Sequence, residues 1–259
     1  MTPQVQKTIK RLSIVAFILM VAVLVISAVE QQENDLVKGV NIDITPLPDG
    51  HLLIDSMDVM TVINRSFDYE LEKQRLGNVF VERIERVLEA EPFVFNAEVY
   101  IDRQDKVKIA LNQREPILRI FDKNNQTYYL GKEGEKLPIS KHFTTRSLVA
   151  TGDIPPFDAK YMNPEWQGKK HVIRDLYELT QFILADNFWR ALIEQVHVKE
   201  DEFVLIPKVG KQRILFGKFS DIDNKFIRLK TFYDEVMSRV GWTKYKEIDI
   251  RYKGQVIGR

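Results

Sequence analysis

The sequence feature that most constrains this chain is an uncharged apolar stretch of eighteen residues, Leu12 to Val29. It contains neither Gly nor Pro, and twelve of its residues are Leu, Ile, Val or Phe. A helix of this length spans about 27 Å, close to the ~30 Å hydrocarbon core of a bilayer. Each of these side chains favours insertion by ~0.3–0.6 kcal/mol near the bilayer centre. We therefore predict a transmembrane helix at residues 12–29.

The charges that flank this stretch predict its orientation. Three cations precede it and three acids follow it closely: Lys7, Lys10 and Arg11, then Glu30, Glu33 and Asp35. The positive-inside rule keeps residues 1–11 in the cytoplasm as a short tail and sends the rest of the chain across the membrane. The alternative is a cleaved signal peptide, but the apolar run exceeds the usual 7–15 residues and Ile26-Ser27-Ala28 is a poor cleavage site. We expect an uncleaved anchor.

The composition of the exported part excludes several classes of function. Without the three N-terminal cations, 35 Lys and Arg face 37 Asp and Glu, a near-neutral balance that argues against nucleic acid as the main partner. The chain has no cysteine, so it can form neither a disulfide framework nor a thiolate metal site.

After a polar stalk at residues 30–35, the patterns predict a small α+β domain at residues 36–115. A half-buried strand is followed by two helices and a β-hairpin, with the helices on one face of the sheet. The second helix can be capped by Asn78 and cannot continue past Pro92. The predicted elements are a strand at Val37–Ile44, a helix from Asp55 or Ser56, a helix from Asn78, and hairpin strands at Val94–Ile101 and Lys106–Gln113.

Residues 116–259 predict a mostly antiparallel β domain with two long helices. Helical spacing marks Lys170–Phe188 and a last helix from Ile222 to Val240, which Ser220 and Asp223 begin with a capping-box-like pattern. Trp166 is expected to hold the preceding loop, residues 153–168, to the body of the domain. The predicted strands are Ile117–Phe121, Thr127–Leu130, Leu148–Thr151, Glu194–Val198, Phe203–Ile206, Gln212–Phe216 and Lys246–Tyr252.

No residue pattern indicates catalysis, a metal site or a cofactor. The four histidines, His51, His142, His171 and His197, have no ligand-like spacing. Asp221 and Asp223 could form an acid/base pair, but a role at the helix start is the stronger interpretation. The charge run from Glu82 to Arg86 is interpreted as the solvated face of its helix. The residue patterns therefore support no enzyme hypothesis, although a missing motif does not exclude catalysis, because triads can be assembled from distant residues.

Three segments resemble the FtsQ/DivIB family of bacterial cell-division proteins. The helix that runs into Glu91-Pro92-Phe93-Val94 and on to Val99 is similar to that family's polypeptide-transport-associated (POTRA) domain. Gln113-Arg114-Glu115-Pro116-Ile117 resembles the junction between the POTRA domain and the β domain. Glu247-Ile248-Asp249-Ile250-Arg251-Tyr252 resembles the family's closing strand, with Ile at a Leu position. The loop at residues 153–168 looks longer than is usual for the family.

The resemblance implies an α+β fold with a single N-terminal transmembrane helix, a POTRA-like domain and a β domain. It also implies a non-enzymatic divisome scaffold of the cytoplasmic membrane at the division septum. Such a scaffold binds FtsB/FtsL-type bitopic division proteins and links early septal-ring components to septal peptidoglycan synthesis. The alternative is a POTRA-bearing translocation or assembly factor that binds client polypeptides. A third, weaker interpretation is a membrane-anchored cell-wall enzyme.

The terminal strand is the predicted binding site for a partner. Ile248, Ile250 and Tyr252 alternate with charged residues, so one face can pack on the last helix while the other stays wet. If this strand lies at a sheet edge, its unpaired backbone groups can accept a strand from a partner. From the residues alone, an internal or charge-protected strand is an equal alternative, and the resemblance favours docking. The predicted partner-binding residues are Asp249, Ile250, Arg251, Tyr252, Gln255 and Val256.

Overall fold

The computed structural model describes the backbone of residues 3–67, 69–166 and 170–259. The side chains of residues 3–13, 28–30 and 32 also lie outside the described set. Helix α1 covers Pro3–Asn34, so the predicted transmembrane segment falls partly outside the described residues. Across the residues that are described, no helix combines the length and the apolar character needed to cross a membrane.

The chain forms two compact units, Met1–Gln113 and Arg114–Arg259. Beyond α1, the first unit is an α+β fold with a three-stranded sheet in the order β1-β3-β2. Strand β1 runs parallel to β3, and β2 and β3 form the predicted hairpin. The elements are β1 (Gly39–Thr45), α2 (Ser56–Phe67), α3 (Val81–Glu89), β2 (Val94–Ile101) and β3 (Lys106–Gln113). The predicted order of strand, helix, helix, strand, strand is confirmed.

Alternation along the strands and apolar stripes on the helices build the core of the first unit. Val107, Ile109 and Leu111 of β3 are buried against Ile84 and Leu88 of α3, because residues two apart share one face of a strand. Each fully buried side chain of this size contributes ~1.5–3 kcal/mol.

Two expectations for helix α3 are wrong. The helix begins at Val81 after Phe80, and Asn78 lies in a separate 3-10 turn, so Asn78 does not cap it. The charge run is not simply a solvated face, because Glu85 is half-buried and its Oε1 accepts a hydrogen bond from the Val99 N–H at 2.8 Å.

The second unit is built on a nine-stranded sheet in the order β12-β11-β10-β9-β8-β7-β4-β5-β6. Five of the eight strand pairs are antiparallel and three are parallel, which confirms a mostly antiparallel β domain. The strands are β4 (Pro116–Phe121), β5 (Thr127–Gly131), β6 (Lys136–Leu137), β7 (Leu148–Gly152), β8 (Ile193–Lys199), β9 (Glu202–Pro207), β10 (Arg213–Gly217), β11 (Glu247–Asp249) and β12 (Ile257–Gly258).

Helices α4 (Val172–Ala185), α5 (Asn187–Leu192), α6 (Ile222–Phe232) and α7 (Ser238–Val240) complete the second unit. The predicted helix 170–188 ends at Ala185, because Asp186 is extended and its side chain caps α5 through the Phe188 and Trp189 N–H groups. The last helix is interrupted by a π-helical segment at Tyr233–Met237. It begins at Ile222; the preceding Asp221 has a left-handed backbone and makes no side-chain cap, so the predicted capping box is absent.

The core of the second unit lies between one face of the sheet and helices α4 to α6. Leu118, Val196 and Phe216 of the sheet are buried in one cluster with Leu176 of α4 and Phe226 of α6. Trp166 packs edge-on against the rings of Tyr161 and His171, 4.9 and 6.4 Å away between centroids. These contacts connect the loop to His171, the residue before α4; the end of that loop, residues 167–168, lies outside the described residues.

Candidate partner-binding edge

The predicted terminal strand is shorter than expected and does not lie at the edge of the sheet. Strand β11 covers only Glu247–Asp249 and pairs in parallel with β10, with Ile214 opposite Ile248. On its other side it pairs antiparallel with β12. The condition for docking at residues 246–252, an open sheet edge, is therefore not met by β11, and β12 occupies the edge instead.

Strand β12 presents its own backbone groups to the open side. Arg259 and Glu247 exchange both backbone hydrogen bonds, with N···O distances of 2.9 and 3.1 Å. Antiparallel neighbours alternate between residues that bond to the partner strand and residues that point away from it. Gly258 is the residue that points away, and within the described part of the chain no further strand pairs with β12. Its N–H and C=O can therefore accept an incoming strand.

A buried carboxylate fixes the chain where it leaves β11. Asp249 is 1% exposed, and its Oδ1 accepts hydrogen bonds from the Arg251 N and Nε at 3.1 and 3.0 Å. Its Oδ2 accepts from Arg251 Nη2 at 2.8 Å. Burial raises the pKa of Asp249, but the hydrogen bonds and charge of Arg251 outweigh burial, so the pKa lies below its usual value. The same contacts raise the pKa of Arg251.

The Arg251 side chain lies across the neighbouring strand, where a glycine leaves room for it. Gly217 at the end of β10 has a φ of +73°, and a Cβ added there would lie 2.8 Å from Arg251 Cγ. Arg251 Nη1 also reaches Glu202 Oε2 of β9 at 3.4 Å. The guanidinium therefore ties together the ends of β9, β10 and β11.

The predicted partner-binding residues divide into two groups. Asp249 and Ile250 (0% exposed) are interior, so they position the segment. Arg251, Tyr252 (46% exposed) and Gln255 reach solvent, and Val256 is half-buried beside β12. The structure thus brings the exposed members together on the turn that leads from β11 to β12.

Helix α6 supports this turn from the other side. Arg228 Nη2 donates to the Ile250 carbonyl at 3.2 Å, and Arg228 Nη1 lies 3.7 Å from Asp221 Oδ2. Buried Lys225 donates to the Lys218 carbonyl at 2.7 Å, and burial lowers its pKa. A cleft of about 240 Å³ here carries more cations than acids: Lys218, Lys225, Arg228, Arg251 and Lys253 against Glu202 and Asp221.

Sequence reasoning missed Arg228, Gly217 and Gly258 at this site. Gly258 lies against the ring of Tyr245, where an added Cβ would be 2.6 Å from Tyr245 Cδ1. Glycine is favoured wherever a backbone and another group approach this closely. An isolated glycine that directly follows an apolar residue is the local signal of such an approach, and it does not identify the neighbouring group.

A second cleft, of about 470 Å³, lies where α4 begins, and its lining includes the titratable side chains of His171 and Asp175. Burial raises the pKa of Asp175 to about 6 and lowers that of His171. His171 has a structural role here: its Nδ1 accepts from the Ile173 N–H at 3.3 Å, and its ring stacks on Tyr161 at 3.4 Å. The arrangement caps a helix and anchors the loop that contains Trp166.

Comparison with known families follows the division into two units. A family model described as "FtsQ/DivIB, C-terminal related" matches residues 115–259, more than half of the chain. A model of a POTRA-like domain matches residues 35–112. No curated protein matches the chain closely enough to count as a relative.

Proposed function

Because the chain belongs to the FtsQ/DivIB family of bacterial cell-division proteins, we propose that it is a divisome scaffold that binds FtsB/FtsL-type bitopic proteins at the β12 edge. In this role it links early and late septal-ring components for septal peptidoglycan synthesis. The observation that carries the proposal is the outward N–H and C=O of Gly258 on a strand that β11 pairs on one side only. An extended segment of the partner would continue the sheet there.

The surroundings of β12 support strand addition. Exposed Tyr252 lies on the turn that leads into β12 and offers apolar area to a bound segment. The cleft beside Arg251 has an excess of cations, which favours a partner segment with acidic side chains. Aromatic and arginine side chains contribute most of the binding energy at many interfaces.

We also propose that residues 12–29 anchor the chain in the cytoplasmic membrane, with residues 1–11 in the cytoplasm and the bulk outside it. The proposal rests on the flanking charges and on the apolar side chains from Ile14 to Ile26, which are exposed along α1. Apolar side chains exposed in such numbers are stable in an apolar environment. A reporter that fluoresces only in the cytoplasm, fused after Arg259, should stay dark, and bright signal would refute this orientation.

The binding proposal is tested by hydrogen exchange on the full chain, alone and bound to an FtsB–FtsL pair. We expect the Gly258 amide to exchange at least about tenfold more slowly in the complex, because it gains a hydrogen bond to the partner. The Ala97 and Val99 amides of β2 serve as internal controls and should not change. Protection in β2, with none in β12, would place the partner on the other unit.

The alternative function, an assembly factor that binds client polypeptides, would use a sheet edge of the POTRA-like unit. The same experiment with an unfolded client peptide in place of the FtsB–FtsL pair tests it. Slower exchange in β2 would favour the assembly factor, and no change there would favour the scaffold.

A further inference from the structure

Strand β2 lies at the edge of the sheet in the POTRA-like unit, and two of its outward N–H groups are bonded to side chains of the same unit. In the described part of the chain, the sheet order β1-β3-β2 leaves one side of β2 without a neighbouring strand. On that side the Val99 N–H donates to Glu85 Oε1 at 2.8 Å, and the Ala97 N–H donates to Glu89 Oε1 at 3.3 Å. Both donors are therefore bonded although none of the described strands pairs with β2 on that side.

The two glutamates reach the strand because of their spacing on α3. Glu85 and Glu89 are four residues apart, so they lie on the same side of the helix. Ala97 and Val99 are two residues apart, so their N–H groups point the same way. Both glutamates are half-buried, and hydrogen bonds to a carboxylate are stronger than those to a neutral acceptor.

The edge that they cover has the features of a strand that pairs with other chains. Phe95 and Tyr100 are 53% and 56% exposed, and aromatic residues on an edge strand add cross-strand contact area. A register shift between Val94 and Asn96 marks a bulge near one end of the strand, but residues 96 to 101 pair regularly with β3. Uncovered, a regular edge of this kind is a template for association.

We propose that Glu85 and Glu89 form a latch that closes the β2 edge to strand addition, and that a second copy of this chain pairs with β2 when the latch is removed. Antiparallel pairing of two identical strands about a twofold axis places the aromatic side chains of each copy near the other. The latch acts in the unpaired chain, so it does not depend on the proposed partner of β12.

The test compares three variants of the full chain, each purified in the same mild detergent as the wild type. Glu85→Ala with Glu89→Ala removes both acceptors. Glu85→Gln with Glu89→Gln keeps a carbonyl oxygen at each position but removes the charge. Glu82→Ala changes an exposed glutamate of the same helix and is the matched control.

Amide exchange is measured under dilute, monomeric conditions, and association is then measured by sedimentation as a function of concentration. In the Ala variant we expect the Ala97 and Val99 amides to exchange about tenfold faster than in the wild type, since each loses its acceptor. At higher concentration this variant should dimerise, and both amides should become protected again. The Gln variant and the control should stay monomeric with slow exchange.

Three results would overturn the proposal. Unchanged exchange in the Ala variant would show that the carboxylates do not hold these amides. Faster exchange without dimerisation would show that the two glutamates do not prevent β2 from pairing with a second copy. Dimerisation of the Gln variant as well would assign the closure to charge repulsion. If the double Ala variant does not fold, Glu85→Ala alone gives the same test at Val99.

Discussion

Each unit has an edge strand at one end of its sheet, β2 in the first unit and β12 in the second. The two edges differ in whether their outward backbone groups are already hydrogen-bonded. Strand β12 has two residues and leaves the backbone of Gly258 directed outward. Strand β2 has eight residues, and Glu85 and Glu89 accept hydrogen bonds from two of its outward N–H groups, those of Val99 and Ala97. The longer edge strand has more backbone groups with which another chain could pair, and it is the one whose N–H groups are bonded to side chains of the same unit.

This difference shows that access to a sheet edge depends on the helix beside it as much as on the strand. Helix α3 lies along β2 and supplies acceptors from its own glutamates. Helix α6 instead directs Arg228 to the Ile250 carbonyl, inside the turn, and leaves β12 uncovered. A side chain that bonds to the neighbouring turn supports the edge, whereas one that bonds to the strand itself blocks it.

The largest expected effect comes from Ile250→Lys. This variant tests whether Ile250 stabilises the β domain as a core residue or contacts the partner at the open edge. Ile250 is fully buried in the core of the second unit, so a lysine there should destabilise the β domain by more than about 4 kcal/mol. Urea unfolding of the full chain measures the loss. Ile250→Val is the control and should cost about 1 kcal/mol. A folded Lys variant with only weaker partner binding would make Ile250 a contact residue after all.

The next effect concerns Asp249 and its dependence on pH. Asp249→Asn should lower the free energy of unfolding by about 2 kcal/mol at pH 7, because Arg251 loses a charged partner and remains partly exposed. The pKa of Asp249 is lowered from 3.8 in the folded chain. Its stabilising contribution is therefore present above pH ~4 and is lost as the pH falls through the folded pKa.

Unfolding of both proteins as a function of pH checks this sign. The gap between wild type and Asp249→Asn should be constant near neutral pH and should narrow below pH ~4. A gap that widens in acid would mean that the carboxylate is not held by Arg251.

A matched pair of tyrosines compares the two edges in binding. Tyr252→Ala beside the open edge should weaken binding of the FtsB–FtsL pair about tenfold, since an aromatic contact at an interface contributes ~1–3 kcal/mol. Tyr100→Ala on the closed edge should leave the affinity unchanged. Both side chains are about half exposed, so thermal melts of the two variants should stay close to the wild type. Equal losses of affinity would remove the distinction between the edges.

The smallest effect is expected for Glu98→Ala. Glu98 lies on β2 between the two latched positions, but its side chain is exposed and has no ion pair among the described residues. Its removal should change the free energy of unfolding by less than about 0.5 kcal/mol and should not cause dimerisation. Dimerisation of this variant in sedimentation would mean that charge along β2, and not the bonds from α3, keeps the edge closed.

The sequence predicts the parts of this fold that depend on local periodicity. The β2–β3 hairpin follows from alternation over sixteen residues, and Ile248 and Ile250 are buried as their alternation predicts. Strand β12 is too short to carry a period of two, so its role as the edge could not be predicted. Asp249 was expected on the wet face, but the Arg251 side chain covers it.

The function of Glu85 could not be predicted for a different reason. On the helix its position is that of a polar residue in a charge run, and only the path of β2 beside α3 turns it into a backbone acceptor. Asn78 and Ser220 show the reverse case: each has the chemistry of a cap, but the helix begins three residues after Asn78 and two residues after Ser220. The residue type indicates which side chains can cap a helix, but tertiary packing determines the residue at which the helix begins.

The short length of β12 has a thermodynamic consequence for the chain that carries it. Two residue pairs and the backbone bonds of Arg259 join it to β11 and Lys246, so this short strand can open locally without unfolding the domain behind it. A bound strand would order β12 at the same time as itself, and by mass action the domain would gain about 2.7 kcal/mol at a ligand concentration one hundred times Kd. The melting temperature of the second unit would then rise with the concentration of free partner, while that of the first unit would stay constant.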